Sequence, residues 1–331
     1  MYLIFNILSV VYGWLVRCRL YLYKHQLLKS YKFNIPIISI GNITVGGTGK
    51  TPMTLWVFNQ LILKNKKPCI ITRGYNRSSK ELMVVNKDYS NYTSRDIGDE
   101  PLMMLKNNQN IQMVVANDKI KAIRFAIDNL DVDSIILDDG FQSLYIDRDF
   151  DIVMINAKQN NNKYHLLPRG CAREPIQNIK RANAIVINRG DQSSINNIFI
   201  NNHLNIFKAE NVFGLVDGSG RAVKNFVAFR VLALCGIGDP DSFFKTLNNY
   251  RINLNKKLIF QDHYNYTATD MGHIYRCMNN SNCNTIITTW KDYYKIHPLN
   301  INNQKIIILN MELEIKDHAL LRMIDGVVNE N

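Results

Sequence analysis

The sequence predicts an α/β protein: a P-loop NTPase-like, doubly wound parallel sheet with a second, smaller α/β domain and an N-terminal membrane-associated helix. Three observations carry this. Short β-branched apolar runs alternate with amphipathic segments along most of the 331 residues, the pattern of parallel strands joined by helical crossovers. One of those runs opens into a glycine-rich turn followed by Lys50-Thr51. The first sixteen residues, MYLIFNILSVVYGWLV, carry no charge and are followed at once by a basic flank.

The N-terminal element comes first in the chain. After the uncharged run stand Arg17, Arg19, Lys24, His25, Lys29 and Lys32, mixed with leucines and tyrosines. A secretory signal has the opposite order, basic residues before the apolar core. A spanning helix needs about 20 apolar residues, whereas sixteen at about 1.5 Å each reach about 24 Å. Residues 1–34 therefore read as a monotopic anchor, dipping into one leaflet with its basic and Tyr residues at anionic headgroups. The plainer reading is a core helix with a solvated basic tail. Charge supports the anchor: no Asp or Glu precedes Glu81, while twelve Lys and Arg do, leaving 28 basic against 28 acidic residues beyond. The net charge of +12 thus sits at one end and calls for an anionic partner there. A nucleic-acid-binding arm fits poorly, because such arms are not usually preceded by a continuous apolar run.

The next elements build a nucleotide-binding domain over residues 35–220. Strands are expected at Ile35–Ile40, Pro68–Thr72, Ile111–Ala116, Ser134–Leu137, Asp151–Ile155 and Ala184–Asn188, with helices at Lys50–Leu63 and Lys119–Leu130. Residues 158–163 read as a polar loop. The turn-rich stretch 216–225 is the expected boundary. Beyond it, a smaller α/β unit over 221–331 has strands at Phe226–Leu234, Leu258–Phe260, Thr285–Thr288 and Lys305–Leu309. A composition of 46% apolar and 21% charged residues excludes disordered, collagen-like and coiled-coil chains. The six cysteines form no C-x-x-C pair, which argues against a disulfide framework or a thiolate zinc site and for a reducing cytoplasm.

Two segments carry phosphate chemistry. In IPIISIGNITVGGTGKTP (35–52) a buried strand runs through Thr44, Val45, Gly46, Gly47, Thr48 and Gly49 into Lys50 and Thr51. Such a loop closes its N–H groups around phosphate, its Lys reaches the β/γ oxygens, and its Thr gives a hydroxyl to Mg²⁺. Thr44 stands where the strict pattern has its first glycine, and an ordinary glycine-rich βα turn is the alternative. The second segment, SIILDDGFQ (134–142), ends a strand in Asp138 and Asp139. A carboxylate at a strand end is what a P-loop protein needs to hold Mg²⁺, although Asp-Asp before Gly also suits a solvated turn.

Together with RGY (73–75), DIGDEP (96–101), REP (173–175), FQDHY (260–264), LCGIGDPDSFF (234–244) and TTWKD (288–292), these segments resemble the tetraacyldisaccharide 4′-kinases of lipid A synthesis over nearly the whole chain. The resemblance implies transfer of the γ-phosphate of ATP, with Mg²⁺, to the 4′-hydroxyl of an acylated glucosamine disaccharide phosphate. The product would be lipid IVA, made at the cytoplasmic face of the bacterial inner membrane. By the same resemblance Lys50 and Thr51 match the P-loop pair, Asp99 matches the base for the sugar hydroxyl and His263 its support. Glu100, Asp138 and Asp139 match acidic positions around the metal. Arg73, Tyr75, Gln142, Arg173 and Glu174 match positions lining the cleft. Two positions depart from the family pattern: Ser143 stands where a His is usual, and Trp290 where a Glu is usual.

Read from its neighbours alone, Asp99 before Glu-Pro also suits a helix N-cap, and His263 an unremarked loop histidine. Arg173 could pair with Glu174 or lie in water. A membrane-docked P-loop ATPase or GTPase switch is the competing function. It would need no acceptor base, whereas the motifs at 73, 99, 173 and 263 supply candidates for an acceptor cleft.

Overall fold

The computed structural model describes residues 2–75, 77–86, 92–108, 110–158, 164–190, 205–224 and 229–329. Among them, twelve strands form one hydrogen-bonded sheet. They are β1 (Ile37–Gly41), β2 (Pro68–Thr72), β3 (Met83–Val85), β4 (Gln112–Val115), β5 (Ser134–Asp138), β6 (Phe150–Asn156), β7 (Ala184–Asn188), β8 (Ile206–Val216), β9 (Val231–Cys235), β10 (Leu254–Ile259), β11 (Thr285–Thr288) and β12 (Lys305–Glu314). Their spatial order is β10-β9-β11-β12-β8-β7-β6-β1-β5-β2-β4-β3. Every pairing is parallel except β3 with β4 and β8 with β12.

The helices are α1 (Tyr2–Lys24), α2 (Lys50–Leu63), α3 (Ser94–Ile97), α4 (Asp99–Asn107), α5 (Lys119–Asn129), α6 (Pro240–Asn249), α7 (Ala268–Asn280), α8 (Trp290–Ile296) and α9 (His318–Asn329). α2 presents Met53, Val57, Phe58 and Leu61 to one face of the sheet, and α5 presents Ala122, Ile123 and Ala126 to the other. Helices on both faces make the sheet doubly wound, as expected. Burying a large apolar side chain contributes about 1.5–3 kcal/mol, so the α2 stripe alone fixes this helix behind the phosphate loop. α5 starts at Asp118, whose carboxylate accepts from the N–H groups of Ile120 and Lys121 at 3.0 and 3.1 Å.

β2, β7, β11 and α2 fall where the sequence placed them, and β1, β4, β5 and β6 agree to within two residues, whereas β9 begins five residues later than expected, β10 four earlier, and β12 runs five further. β3 and β8 were not anticipated. β3 has three residues at a sheet edge. β8 carries Lys208, Glu210 and Asn211 among its apolar residues and buries its side chains irregularly, so it lacks the unbroken apolar run of a strand covered on both faces. Residues 159–163 of the expected loop, residue 225 of the expected boundary and residues 226–228 of the expected strand lie outside the described residues.

β8 joins the two halves of the sheet. Its residues 206–209 pair with β7, and residues 210–216 pair with β12. The C-terminal α9 then returns to the nucleotide-binding half: Leu320, Ile324 and Val328, spaced by four, are buried in the same core cluster as Met53, Val57 and Phe58. The stretch 217–221 is a tight turn in which Asp217 accepts from Ser219 and Arg221.

α1 runs through the basic flank to Lys24, 23 residues, or about 34 Å at the usual rise. The sixteen-residue estimate therefore undercounts the helix, which is long and apolar enough to cross a membrane by length and composition. Leu3, Ile4, Ile7, Val10 and Trp14 are all more than half exposed. The helix touches the body through few polar contacts. Ser9 Oγ donates to the Leu166 carbonyl at 2.9 Å, Tyr12 Oη to the Arg173 carbonyl at 2.6 Å, and Arg19 to the Gln142 carbonyl at 3.2 Å.

Candidate active site

The register Ile40↔Asp138 places β1 and β5 side by side with their carboxyl ends together, the end where open α/β sheets bind ligands. The loop from Gly41 to Lys50 leaves β1 there. Asn42 Nδ2 donates to Thr48 Oγ1 at 3.0 Å, and Asn188, at the end of β7, donates to the Thr48 carbonyl at 3.2 Å. Asn156 Nδ2 reaches the Gly47 carbonyl at 3.5 Å. Three strand ends thus hold the loop open. Gly49 has φ +96, and a Cβ on it would stand 2.3 Å from Asn188 Nδ2, so backbone conformation and space both require glycine. Thr44 is buried and forms an antiparallel bridge with Ala172, while the Val45 N–H donates to the Cys171 carbonyl at 2.7 Å. The missing first glycine is thereby explained: position 44 anchors the loop to the 171–173 segment. Val45, Gly46 and Gly47 are exposed.

Asp138 and Asp139 have different environments. The Asp138 carboxylate is buried and accepts from Thr72 Oγ1 at 3.0 Å and Thr54 Oγ1 at 3.4 Å. Burial, then the nearby Glu100, push its pKa up to about 6. Asp139 adopts φ +48, an uncommon conformation for a non-glycine residue. Its two oxygens accept from Arg173 Nη1 at 2.9 and 3.0 Å, and Lys50 Nζ lies 3.6 Å away. Burial would raise its pKa, but Lys50, Arg173 and Lys119 outweigh that and hold it below the usual carboxylate value. Lys119, absent from the sequence-level candidates, is fully buried and donates to the Asp138 and Asp139 carbonyls at 2.6 and 2.8 Å. Its only signal in the sequence was its place next to a helix cap.

The cleft residues divide. Gln142 Nε2 donates to the Asn42 carbonyl and to Glu174 Oε1, both at 2.8 Å, and its Oε1 accepts from Arg173 at 3.2 Å. Glu174 is buried and also accepts from Asn178 and Arg181, so its carboxylate braces the loop. Ser143 is buried, and its N–H closes a turn onto the Gly140 carbonyl at 2.8 Å. Arg73 and Tyr75 are exposed, and the Tyr75 ring stands edge-on to His263 at 5.9 Å.

Asp99 and His263, 164 residues apart, meet: Nδ1 lies 3.0 Å from Oδ2. His263 adopts φ +60. Lys295, a second residue not anticipated, donates to the same Oδ2 at 2.6 Å. The cap reading of Asp99 is overturned. Gly98 is the N-cap, Asp99 is the first helical residue, and its side chain turns to His263 and Lys295. The phosphate loop and this pair are contiguous, because the Thr51 hydroxyl donates to Glu100 Oε2 at 3.1 Å.

Thr51, Glu100, Asp138 and Asp139 offer only hard oxygen donors, which suit Mg²⁺. Among the described residues no three His, Cys, Asp or Glu side chains converge as a metal cage. All six cysteines are unpaired.

A family model described as tetraacyldisaccharide-1-P 4′-kinase matches residues 1–329. Three proteins named tetraacyldisaccharide 4′-kinase are similar over most of their length. That of Pelodictyon phaeoclathratiforme is 33% identical over 303 residues, 87% of this chain and 85% of its own. That of Francisella novicida is 34% identical over 276 residues, 82% and 83%. That of Bdellovibrio bacteriovorus is 30% identical over 319 residues, 94% and 93%. The crystal structure of LpxK from Aquifex aeolicus in complex with ATP is similar in fold, with TM-score 0.80 at 28% identity and 98% of both chains covered.

Proposed function

This chain belongs to the tetraacyldisaccharide-1-P 4′-kinase family, and we propose that the cleft between the phosphate loop and His263 performs the family's reaction with Asp99 as acceptor base. The enzyme transfers the γ-phosphate of ATP to the 4′-hydroxyl of tetraacyldisaccharide 1-phosphate, a lipid A precursor. The observation that best supports the assignment of roles is the 3.1 Å contact between Thr51 and Glu100. Asp99 is the chain neighbour of Glu100, so this contact supports a base beside the loop that would grip the triphosphate.

In this reading the loop N–H groups and Lys50 receive the β- and γ-phosphates. Lys50 Nζ, at the end of the same loop, lies 3.6 Å from Asp139. The sugar hydroxyl lies against Asp99, which accepts its proton as the phosphoryl group arrives, while His263 holds the carboxylate. Phosphoryl transfer demands chiefly position and charge neutralisation, and Arg173 adds a second cation beside Asp139. Thr51, Glu100, Asp138 and Asp139 would hold Mg²⁺, which would neutralise charge on the transferring phosphate. α1, held to the Arg173 segment through Tyr12, would lay its exposed apolar face in the cytoplasmic leaflet of an anionic membrane, with the cleft mouth where a lipid acceptor emerges.

The test is transfer of labelled phosphate from ATP to tetraacyldisaccharide 1-phosphate by the detergent-solubilised protein. Asp99→Asn should lower kcat by about 10²–10⁴, the usual worth of a general base, with ATP binding near parental. Parental kcat in a folded Asp99→Asn enzyme would overturn the base assignment. ATP hydrolysis equal with and without acceptor, and no transfer, would instead favour a membrane-docked switch.

A further inference from the structure

Helix α8 presents Lys291 and Lys295, four residues apart and so on one face. Lys291 Nζ donates to Asp262 Oδ1 at 2.8 Å. Lys295 Nζ donates to Asp99 Oδ2 at 2.6 Å and to the Tyr264 carbonyl at 3.1 Å. One helix face therefore grips both chain neighbours of His263 and also the carboxylate that His263 touches. The helix itself is locked: buried Asp292 accepts from the Gly236 N–H at 3.0 Å and from Tyr266 Oη at 3.0 Å, while Trp290 Nε1 donates to Asn310 at 2.8 Å.

The geometry at Asp99 is asymmetric. His263 and Lys295 both address Oδ2, and no hydrogen bond from the described residues reaches Oδ1. The side chains of Lys295 and Asp99 are 7% and 10% exposed. An ammonium so enclosed needs a fixed counter-charge, and it restricts rotation of the carboxylate far more than an exposed ion pair would. We propose that Lys295 is a positioning residue for the phosphoryl transfer. With His263 it pins Oδ2 so that Oδ1 is the oxygen offered to the acceptor hydroxyl, and its charge keeps the carboxylate in place beside the incoming triphosphate. Asp99 belongs to the nucleotide-binding half, whereas the Tyr264 carbonyl and Lys295 belong to the other. The same ammonium therefore aligns the base with the half that carries His263.

This inference rests on Asp99 being the base, and the experiment separates the two. Lys295→Met, Lys295→Arg and Asp99→Asn are compared in the transfer assay, with thermal melting as the control for folding. Lys295→Met should lower kcat about 10- to 100-fold with KM for ATP within about twofold, a loss confined to the transition state. Lys295→Arg, which keeps the charge and can reach Oδ2, should recover most of it. In the Lys295→Met/His263→Ala double variant the loss should be smaller than the product of the two single losses, because both side chains act through one oxygen. A folded Lys295→Met enzyme with parental kcat would overturn the inference, and so would equal losses in the Met and Arg variants. Should Lys295→Met fail to fold, Lys295→Gln is read in the same way, and failure of both to fold makes the lysine structural and ends the proposal. Parental activity in Asp99→Asn defeats the base reading itself. An inactive Asp99→Asn beside a fully active Lys295→Met defeats only the role of Lys295.

Discussion

Lys119 Nζ donates to the main-chain carbonyl of Asp138 at 2.6 Å, so the buried cation fixes the turn that aims the carboxylates and leaves the Asp138 side chain to two threonines. The Asp138–Asp139 turn is therefore a stressed assembly. It contains a left-handed Asp139, a carboxyl group pushed up to about 6 and an ammonium pushed down to about 8, both chiefly by burial. Lys119→Met should release this turn. We expect lowered kcat and a weaker response to Mg²⁺ with a modest change in melting temperature, read by titrating Mg²⁺ in the transfer assay.

Asp138 sets a pH dependence of stability. Its folded pKa of about 6 lies above the ordinary 3.8. The stability it contributes is fully present below about pH 3.8 and is lost as pH rises through about 6. Asp138→Asn should therefore stabilise the protein at pH 7, by on the order of 3 kcal/mol, and confer little advantage at pH 4, while lowering phosphoryl transfer. Denaturant midpoints at the two pH values decide it. A variant less stable than the parent at pH 7 would refute the strain at this site.

The phosphate loop should tolerate no side chain at position 49. Gly49→Ala meets Asn188 at 2.3 Å in a left-handed conformation that costs about 1–2 kcal/mol for a non-glycine residue. Calorimetry should find ATP binding lost or weakened in a protein that still melts cooperatively. Lys50→Ala should retain the fold and lose about 10²–10³ in kcat, the usual cost of one preorganised electrostatic contact.

The exposed face of α1 calls for its own measurement. Removing residues 1–32 should shift the protein from the membrane fraction toward the soluble one and lower transfer to a detergent-dispersed acceptor. Full sedimentation of the truncated protein with membranes after a high-salt wash would refute the anchor.

Much of this was legible in the sequence because it is written locally. β2, β7, β11 and α2 are continuous runs whose apolar or 3.6-residue periodicity needs no partner to be recognised, and the strand–loop–helix order around Lys50 is a signature in itself. The neighbours of Asp99 leave two readings open, because Asp-Glu-Pro also satisfies the rules for a helix start. Only the fold brings His263 across 164 residues to turn it elsewhere. Lys119 and Lys295 left almost no trace, since a buried lysine and a solvated one look alike in sequence until burial is known. β8 escaped for a related reason: it changes partners midway, so its two ends face different surroundings and no single periodicity describes it.

That change of partners governs how the molecule comes apart. A protease searching for a seam between the halves meets a strand whose amides are engaged first by β7 and then by β12, and a C-terminal helix clasped into the nucleotide-binding core. One core cluster of the nucleotide-binding half is completed by Leu313, Ile315, Leu320, Ile324 and Val328 from beyond the crossing. Cutting the gene at residue 220 should therefore yield insoluble fragments instead of two modules. Co-expressed fragments should be recovered together or not at all.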